Sequence, residues 1–368
     1  MKKLATLLAA MAASSTAAVA GGLDRSGQNI SIAFEAGDYV QLSYGSVNPK
    51  VSGTYASGSM ASGDIAPHYS QLALGYRNQL TENLAIAIIY DQPWGAHSSY
   101  PTSGTFAALT GTRAEMTSRA LTMMGMYRAD ENFTFYGGLK STTIELTAAV
   151  PGGGALSYTA TGSSSQALGY LVGAAYEIPE IALRASLTYH SSSTFDVPTS
   201  ETSIATGGAT VSSTTRIVMP EAINLDFQTG VAADTLLMAG VRWANWTQTS
   251  IAPNHYSVTL DRGPLQSYSE DAYTWTLGVG RRFNENLSGS LMLGHEKAQG
   301  GTSGNLAPTD GYNSISAGLS YQVSNVELAG GIRYVQLGDA TSTGAGGANG
   351  TFKDNSAVGV GVSIGFAF

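Results

Sequence analysis

The chain has 368 residues, a net charge of −8 and no cysteine, and only 12% of it is charged, against about 25% in soluble domains. The acidity excludes the basic stripe that a nucleic-acid partner needs, and the lack of cysteine fits passage through an oxidising periplasm. Low charge with abundant Gly, Ser, Thr and Tyr argues against an ordinary soluble surface and suits a wall whose outside faces lipid and whose inside is neutral and polar.

The first residues read as an address. Lys2 and Lys3 supply positive charge, Leu4 to Ala13 is an apolar run too short to span a bilayer, and Ala18-Val19-Ala20 fits a signal-peptidase site. Residues 1–20 are therefore predicted to be a signal peptide, with Gly21-Gly22 ending any helix there. Residues 21–38 stand outside the pattern that follows. They are either a free tail or a hatch folded back into the lumen, and a barrel this wide needs the hatch if it is not to leak. Leu23 lies near the new terminus, with Asp24, Arg25, Gln28 and Asn29 behind it.

From residue 39 to 368 the chain alternates with a period of two, the signature of strands exposed on one face. Leu84, Ile86, Ile88 and Tyr90 oppose Ala85 and Ala87. Further on, Leu183, Ala185, Leu187 and Tyr189 oppose Arg184, Ser186, Thr188 and His190. Tyr273, Trp275, Leu277 and Val279 oppose Thr274, Thr276, Gly278 and Gly280, and Val326, Leu328, Ile332 and Tyr334 oppose Glu327, Gly331 and Arg333. The last residues alternate without a fault, Val358, Val360, Val362, Ile364, Phe366 and Phe368 against Gly359, Gly361, Ser363, Gly365 and Ala367. A terminal Phe resembles the end signal of bacterial outer-membrane barrels. No run after Ala20 is long enough for a membrane helix, the strongest being Leu84 to Tyr90.

Connections alternate in length as well. Short polar turns fall at Arg77–Asn83, Ala129–Asn132, Glu177–Glu180, Ala232–Asp234, Phe283–Asn286 and Ser324–Asn325. Long Gly/Ser/Thr-rich loops fall near 94–112, 149–156, 191–212, 248–270, 299–310 and 338–354. Short turns at one end and long loops at the other are the asymmetry of an outer-membrane barrel. The expected fold is all-β: a transmembrane antiparallel β-barrel of about 14 strands over 39–368, with a short N-terminal hatch at 21–38 in the lumen.

Catalytic patterns are not legible. His68, His97, His190, His255 and His295 are isolated, no Gly-x-Ser-x-Gly elbow occurs, and the Gly152–Gly154 and Gly344–Gly350 runs lack the Lys-Ser/Thr of a phosphate loop. The expectation is no enzyme, no metal and no cofactor. Two interrupted strands stand out instead. Asp91-Gln92-Pro93-Trp94-Gly95 ends the third strand; proline cannot donate to a ladder, so it marks either a plain strand end with Trp94 in the aromatic girdle or a kink that opens the wall. Met219-Pro220-Glu221 interrupts another, followed by Trp243-Ala244-Asn245-Trp246, whose two tryptophans face opposite sides.

At these residues the chain resembles the outer-membrane family of long-chain fatty acid and hydrophobic-compound transporters (FadL/TodX-like). The resemblance rests on Tyr44–Gly53 (YGSVNPKVSG) followed by Ile65-Ala66-Pro67, on Trp94-Gly95, on Met219-Pro220-Glu221, on Trp243-Ala244-Asn245-Trp246-Thr247 and on Asp271-Ala272-Tyr273-Thr274-Trp275-Thr276-Leu277-Gly278, in order and spacing across most of the chain. It implies a 14-stranded barrel plugged by an N-terminal hatch, an inner pocket touching the N-terminus, and lateral release at a kink in the third strand. Carried over, Gly22 and Leu23 reach the pocket, and Pro93, Trp94, Gly95, Ala96 and His97 form the kink. Ile32-Ala33-Phe34-Glu35-Ala36 stands where the family hatch holds Asn-Pro-Ala, and only 18 residues (21–38) precede the first strand.

The expected function is passive uptake of long-chain fatty acids or other hydrophobic molecules by a monomer in the bacterial outer membrane, in contact with its lipid. Leu23, Trp94, Phe106, Leu109 and Trp246 are the expected apolar contacts. A general diffusion porin is the alternative; it would need opposed clusters of Arg and Asp/Glu at a constriction, and the low charge content speaks against it.

Overall fold

The computed structural model describes residues 23–55, 58–103, 106–151, 157–300, 302–343 and 349–368. The expected signal peptide, Gly22, the Gly152–Gly154 triplet and most of the Gly344–Gly350 run lie outside these. The wall begins with β1 (Tyr39–Lys50), β2 (Tyr69–Gln79), β3 in two halves (Leu84–Asp91 and Gly95–Ser99), β4 (Arg113–Arg128), β5 (Phe133–Val150) and β6 (Tyr158–Ile178). It continues with β7 (Leu183–His190 and Ser193–Ser203), β8 (Thr210–Met219 and Ala222–Ala232), β9 (Thr235–Ala244), β10 (Ala272–Arg282), β11 (Leu287–Glu296), β12 (Tyr312–Val323), β13 (Val326–Leu337) and β14 (Ser356–Ala367). Each strand pairs antiparallel with its neighbour in sequence, and β1 pairs with β14 from Tyr39↔Ala367 to Lys50↔Ser356, so the sheet closes on itself as a 14-stranded barrel.

Closure satisfies the backbone where no water is available, and the side chains complete the argument. Along β14, Val358, Val360, Val362 and Phe366 are exposed while Gly359, Gly361, Ser363 and Gly365 are buried. Leu42, Tyr44, Leu72, Leu121, Trp275, Leu293 and Ile315 continue the exposed apolar belt on other strands. A large apolar surface of this kind is stable only against lipid. No helix among the described residues is long and apolar enough to cross a membrane.

The short turns owe their shape to side chains that cap their own backbone. Asp130 Oδ1 accepts the N–H groups of Asn132 (2.8 Å) and Phe133 (2.7 Å), and Asn284 Oδ1 does the same for Asn286 (2.9 Å) and Leu287 (2.8 Å). In the two tightest turns Asp234 and Ser324 take left-handed backbone, with φ of 58° and 55°. At the opposite end the structure departs from the expected loops. The segment expected as a loop near 191–212 is mostly strand, because Ser193–Ser203 and Thr210–Met219 pair from Ser193↔Met219 to Thr202↔Thr210 and raise a hairpin above the belt. Its Ser/Thr content is compatible with strand because Phe195, Val197 and Ile217 alternate inward and are fully buried. Likewise the loop expected near 94–112 begins with the second half of β3.

The long-loop end is packed. Short loop strands at Gly53–Tyr55, Met60–Ala61, Thr302–Gly304, Ala340–Thr343 and Gly350–Phe352 form a five-stranded sheet. The loop after β9 is held by one buried carboxylate. Glu201 accepts the N–H groups of His255 (3.0 Å) and Tyr256 (2.9 Å), the Tyr158 hydroxyl (2.8 Å) and the Ser213 hydroxyl (2.7 Å).

Candidate functional site

Residues 23–38 line the inside of the wall. Near the middle of the barrel, Arg25 N–H donates to the Pro93 carbonyl and Gly95 N–H donates to the Leu23 carbonyl, both at 2.8 Å, with Asp24 bridged to Trp94. The segment therefore adds a short strand of its own to β3 at its interruption. Asp24 forms an ion pair with Arg242 of β9 (2.6 Å), whose guanidinium also donates to Asn224 Oδ1 (2.7 Å). Asn224 in turn donates to the Gly27 carbonyl at 3.0 Å, and Ser26 donates to Asp91 at 2.6 Å.

Lower down, a 3-10 turn at Ser31–Phe34 presses Ile32 against β2. Gly75 makes the room: a Cβ there would stand 2.2 Å from Ile32 Cδ1. Phe34 meets Tyr136 edge-on, and the Arg184 guanidinium lies 4.3 Å from the Phe34 ring centroid. At the short-turn end Arg77 donates to the Ala33 and Gly37 carbonyls, and Asp38 accepts from Gln79 N–H and Asn78.

Glu35 gives this docking a pH dependence. Its carboxyl is pushed up to about 8, first by burial and then by the Glu327 carboxylate, with Arg184 and Arg77 opposing. The docked segment thus holds a proton that the undocked one, near the ordinary 4.5, would release. Docking is strongest below that ordinary value and weakens as pH rises towards 8. Protease sensitivity of the segment should rise across that window, and Glu35→Gln should flatten the curve; an unchanged curve would contradict this.

The interruption of β3 is a bulge. On the β4 side Asp91 faces Ala120 and Gly95 faces Thr117, so four steps along β3 match three along β4. Pro93 has no N–H for the ladder, and Ser118 Oγ replaces the missing partner by accepting from Trp94 N–H (2.8 Å) and donating to its carbonyl (2.6 Å). On the β2 side the ladder stops at Leu74↔Tyr90. Above it the Gln92 side chain and carbonyl reach across, to Leu72 N–H and to Gln71. A cavity of about 120 Å³ lies at this place, and its lining joins inner residues (Arg25, Ser26, Ile32) to outer ones (Tyr44, Leu72, Leu74).

On the lumen side of the break is an apolar cluster. Leu23, Trp94 and Trp246 are 3%, 1% and 1% exposed, and they share the cluster with Ile144, Phe195 and Met219. Trp94 meets Phe195 edge-on at 6.4 Å. The structure thus brings together three of the residues singled out from the sequence, with Ala96 packed against them. Trp246 turns inward through the 3-10 turn Trp246–Gln248, while Trp243 donates from its ring to Asp271 at 3.0 Å. Pro93 is buried at the break, and His97 sits opposite Glu115 in the β3–β4 ladder.

Phe106 and Leu109 lie elsewhere. They belong to a separate cluster under the loop sheet, where Phe106 stacks on Tyr55 at 5.4 Å and Tyr55 shares a hydrogen bond with Tyr100. Sequence reasoning missed the Asp24–Arg242 pair and the role of Ser118, since both are contacts between segments far apart in the chain. Ser203 and His255 meet at 2.8 Å, but Glu201 engages the His255 backbone N–H rather than its ring, so the trio pins a loop.

A closed antiparallel barrel of 14 strands, wrapped in an apolar belt and holding its N-terminal segment against the inner wall, defines a membrane-spanning β-barrel. Among solved structures, a FadL homologue of Pseudomonas aeruginosa matches over 97% of this chain and 98% of its own, with a TM-score of 0.78 at 12% identity. The toluene transporter TodX of Pseudomonas putida matches over 90% of each chain with a TM-score of 0.63 at 12% identity. The toluene transporter TbuX of Ralstonia pickettii also covers 90% of each chain, with a TM-score of 0.63 at 13% identity. At such identity the likeness is one of fold. No family model and no curated protein matches the sequence.

Proposed function

We propose that this protein is an outer-membrane channel for passive uptake of long-chain fatty acids or other hydrophobic molecules, released sideways into the bilayer at the interruption of β3. One observation carries the reading: Leu23–Arg25 pairs with Pro93–Gly95, so the floor of the apolar cluster and the break in the wall are built by the same residues. Residues 21–38 act as the hatch, Gly22 and Leu23 reach the ligand, and Pro93, Trp94, Gly95, Ala96 and His97 form the kink. Trp94 and Trp246 contact the ligand in the lumen, while Phe106 and Leu109 meet it at the long-loop end. The fold shared with a FadL homologue and with toluene transporters supports the outer membrane as the site of action and a hydrophobic cargo.

The physical logic suits that cargo. An apolar lumen site takes up a hydrocarbon at about 0.8 kcal/mol per buried CH₂, and release into lipid avoids returning it to water. No nucleotide site or other energy source is legible, so transport runs down the gradient. Gly95 is where the path is tested: an added Cβ would stand 2.6 Å from Cζ of Arg25, a residue that lines the cavity at the break. In cells lacking their own transporter, the wild-type chain should confer uptake of labelled fatty acid. Gly95→Arg should abolish that uptake while heat-modifiable gel migration still reports a folded barrel. Unchanged uptake by Gly95→Arg would reject the sideways exit.

A further inference from the structure

We infer that the barrel contains a second passage, a polar one that carries small dipolar solutes past the N-terminal segment towards the short-turn end. It goes beyond the sideways path and lies on the other face of that segment. The cavity at the break is walled by β1, β2 and β3, whereas a cavity of about 290 Å³ lies between residues 24–34 and the wall from β7 to β13. Ser26, Asn29 and Ser31 line both, so the segment itself is the partition. The second cavity is far larger than the about 10–15 Å³ that one water needs. On β9 its lining runs from Met238 to Ala244, six steps or about 20 Å of strand.

Charges of both signs line this space: Arg184, Arg242 and Arg333 with Asp24, Asp226 and Glu296. Arg242 and Glu296 stand in one row across the ladder, with Thr274 between them. Asp226 is the open position. Among the described residues it makes no hydrogen bond and no ion pair, although Arg184 and Arg242 act on it as opposite charges. Gly240 lies across the ladder from it and keeps the space free, since a Cβ there would stand 3.4 Å from Asp226 Oδ1 and 2.6 Å from Thr276 Oγ1.

A dipolar solute gives up hydration at both of its charged ends, and only a path holding both signs offsets both losses. A lone anion or cation would meet as many like charges as opposite ones. A hydrocarbon would strip water from six charged groups and replace none of their hydrogen bonds. At its lower end the cavity meets Phe34, which also lines a cavity of about 50 Å³ that ends among Asn83, Arg128 and Glu177 at the short turns. The Phe34 ring, held by Arg184 and Tyr136, therefore stands between the polar cavity and the short-turn end.

The test is isosmotic swelling of liposomes holding the purified full-length barrel. Serine is the dipolar probe and erythritol an uncharged one of similar size, each corrected for protein-free liposomes. Wild-type liposomes are expected to swell severalfold faster in serine than in erythritol. Asp226→Asn, which keeps the shape and removes one charge, should bring the two rates together by slowing serine alone. Phe34→Ala should raise the serine rate roughly tenfold, for the loss of one ring pair and one cation–π contact, and keep the preference. Swelling no faster than in protein-free liposomes, for wild type and Phe34→Ala alike, overturns the passage. The sideways channel would stand, since its exit lies on the other face of the segment. Equal rates for serine and erythritol in the wild type also overturn it. The wild-type comparison needs no variant, so an Asp226→Asn chain that does not assemble leaves the inference open to refutation.

Discussion

Arg242→Ala is expected to release the N-terminal segment from the wall and make the barrel conduct ions. Arg242 and Asp24 are paired at 2.6 Å with side chains only 14% and 13% exposed, and Arg242 also fixes Asn224, which holds the Gly27 carbonyl. Removing one member of a buried pair leaves the other charge uncompensated, at a cost of about 3–5 kcal/mol. That loosens a segment whose other polar contacts near the break are two backbone bonds, the Ser26–Asp91 bond, the Asn224–Gly27 bond and the Arg25–Tyr69 ring contact. The readouts are planar-bilayer conductance, which should rise, and trypsin cleavage after Arg25, which should become fast. Arg242→Lys should lie between, since it keeps the charge and loses the fork that reaches both Asp24 and Asn224. A silent bilayer with a protected Arg25 would contradict the role given to this pair.

Glu201→Ala is expected to free the loop after β9 while leaving the wall intact. Four donors converge on this carboxylate, which is 0% exposed: two loop N–H groups and the hydroxyls of Tyr158 and Ser213. Hydrogen bonds to a charged acceptor are worth about 1.5–3 kcal/mol each, and the donors left behind are buried, so the loss should exceed the stability of one loop's docking. Hydrogen exchange over 253–262 should accelerate by orders of magnitude, and proteolysis after Arg262 should follow. Heat-modifiable migration should stay that of a folded barrel, because the strand ladders do not pass through Glu201's side chain. Slow exchange in the variant would show that the Ser203–His255 bond at 2.8 Å and the Tyr158–Tyr256 ring contact at 4.7 Å hold the loop without Glu201.

Much of the wall was legible because its rule is local. A strand in lipid must alternate, so Val358, Val360 and Val362 against Gly359 and Gly361 announce their faces without reference to any other segment. Turn chemistry is local too, and the Asp130 and Asn284 turns fall where polar residues cluster between alternating runs. The expected loop near 191–212 missed the Ser193–Ser203 and Thr210–Met219 hairpin, because Ser and Thr mark a turn and an upper strand equally well until a partner strand is present.

The site divides in the same way. Pro93 marked on its own the place where β3 ends or breaks, since a ring nitrogen without a proton cannot join a ladder wherever the chain folds, and the continuation Gly95–Ser99 came only with the structure. Local chemistry therefore determined the alternating strands, the connecting turns and the place where one strand breaks. Only the closed structure decided that Leu23 pairs beside Trp94, that Asp24 meets Arg242, and that Phe106 and Leu109 pack under the loop sheet instead. Those outcomes depend on which inward positions of distant strands come to the same height inside the barrel. That height follows from the register of the whole ladder, and no single stretch of chain encodes it.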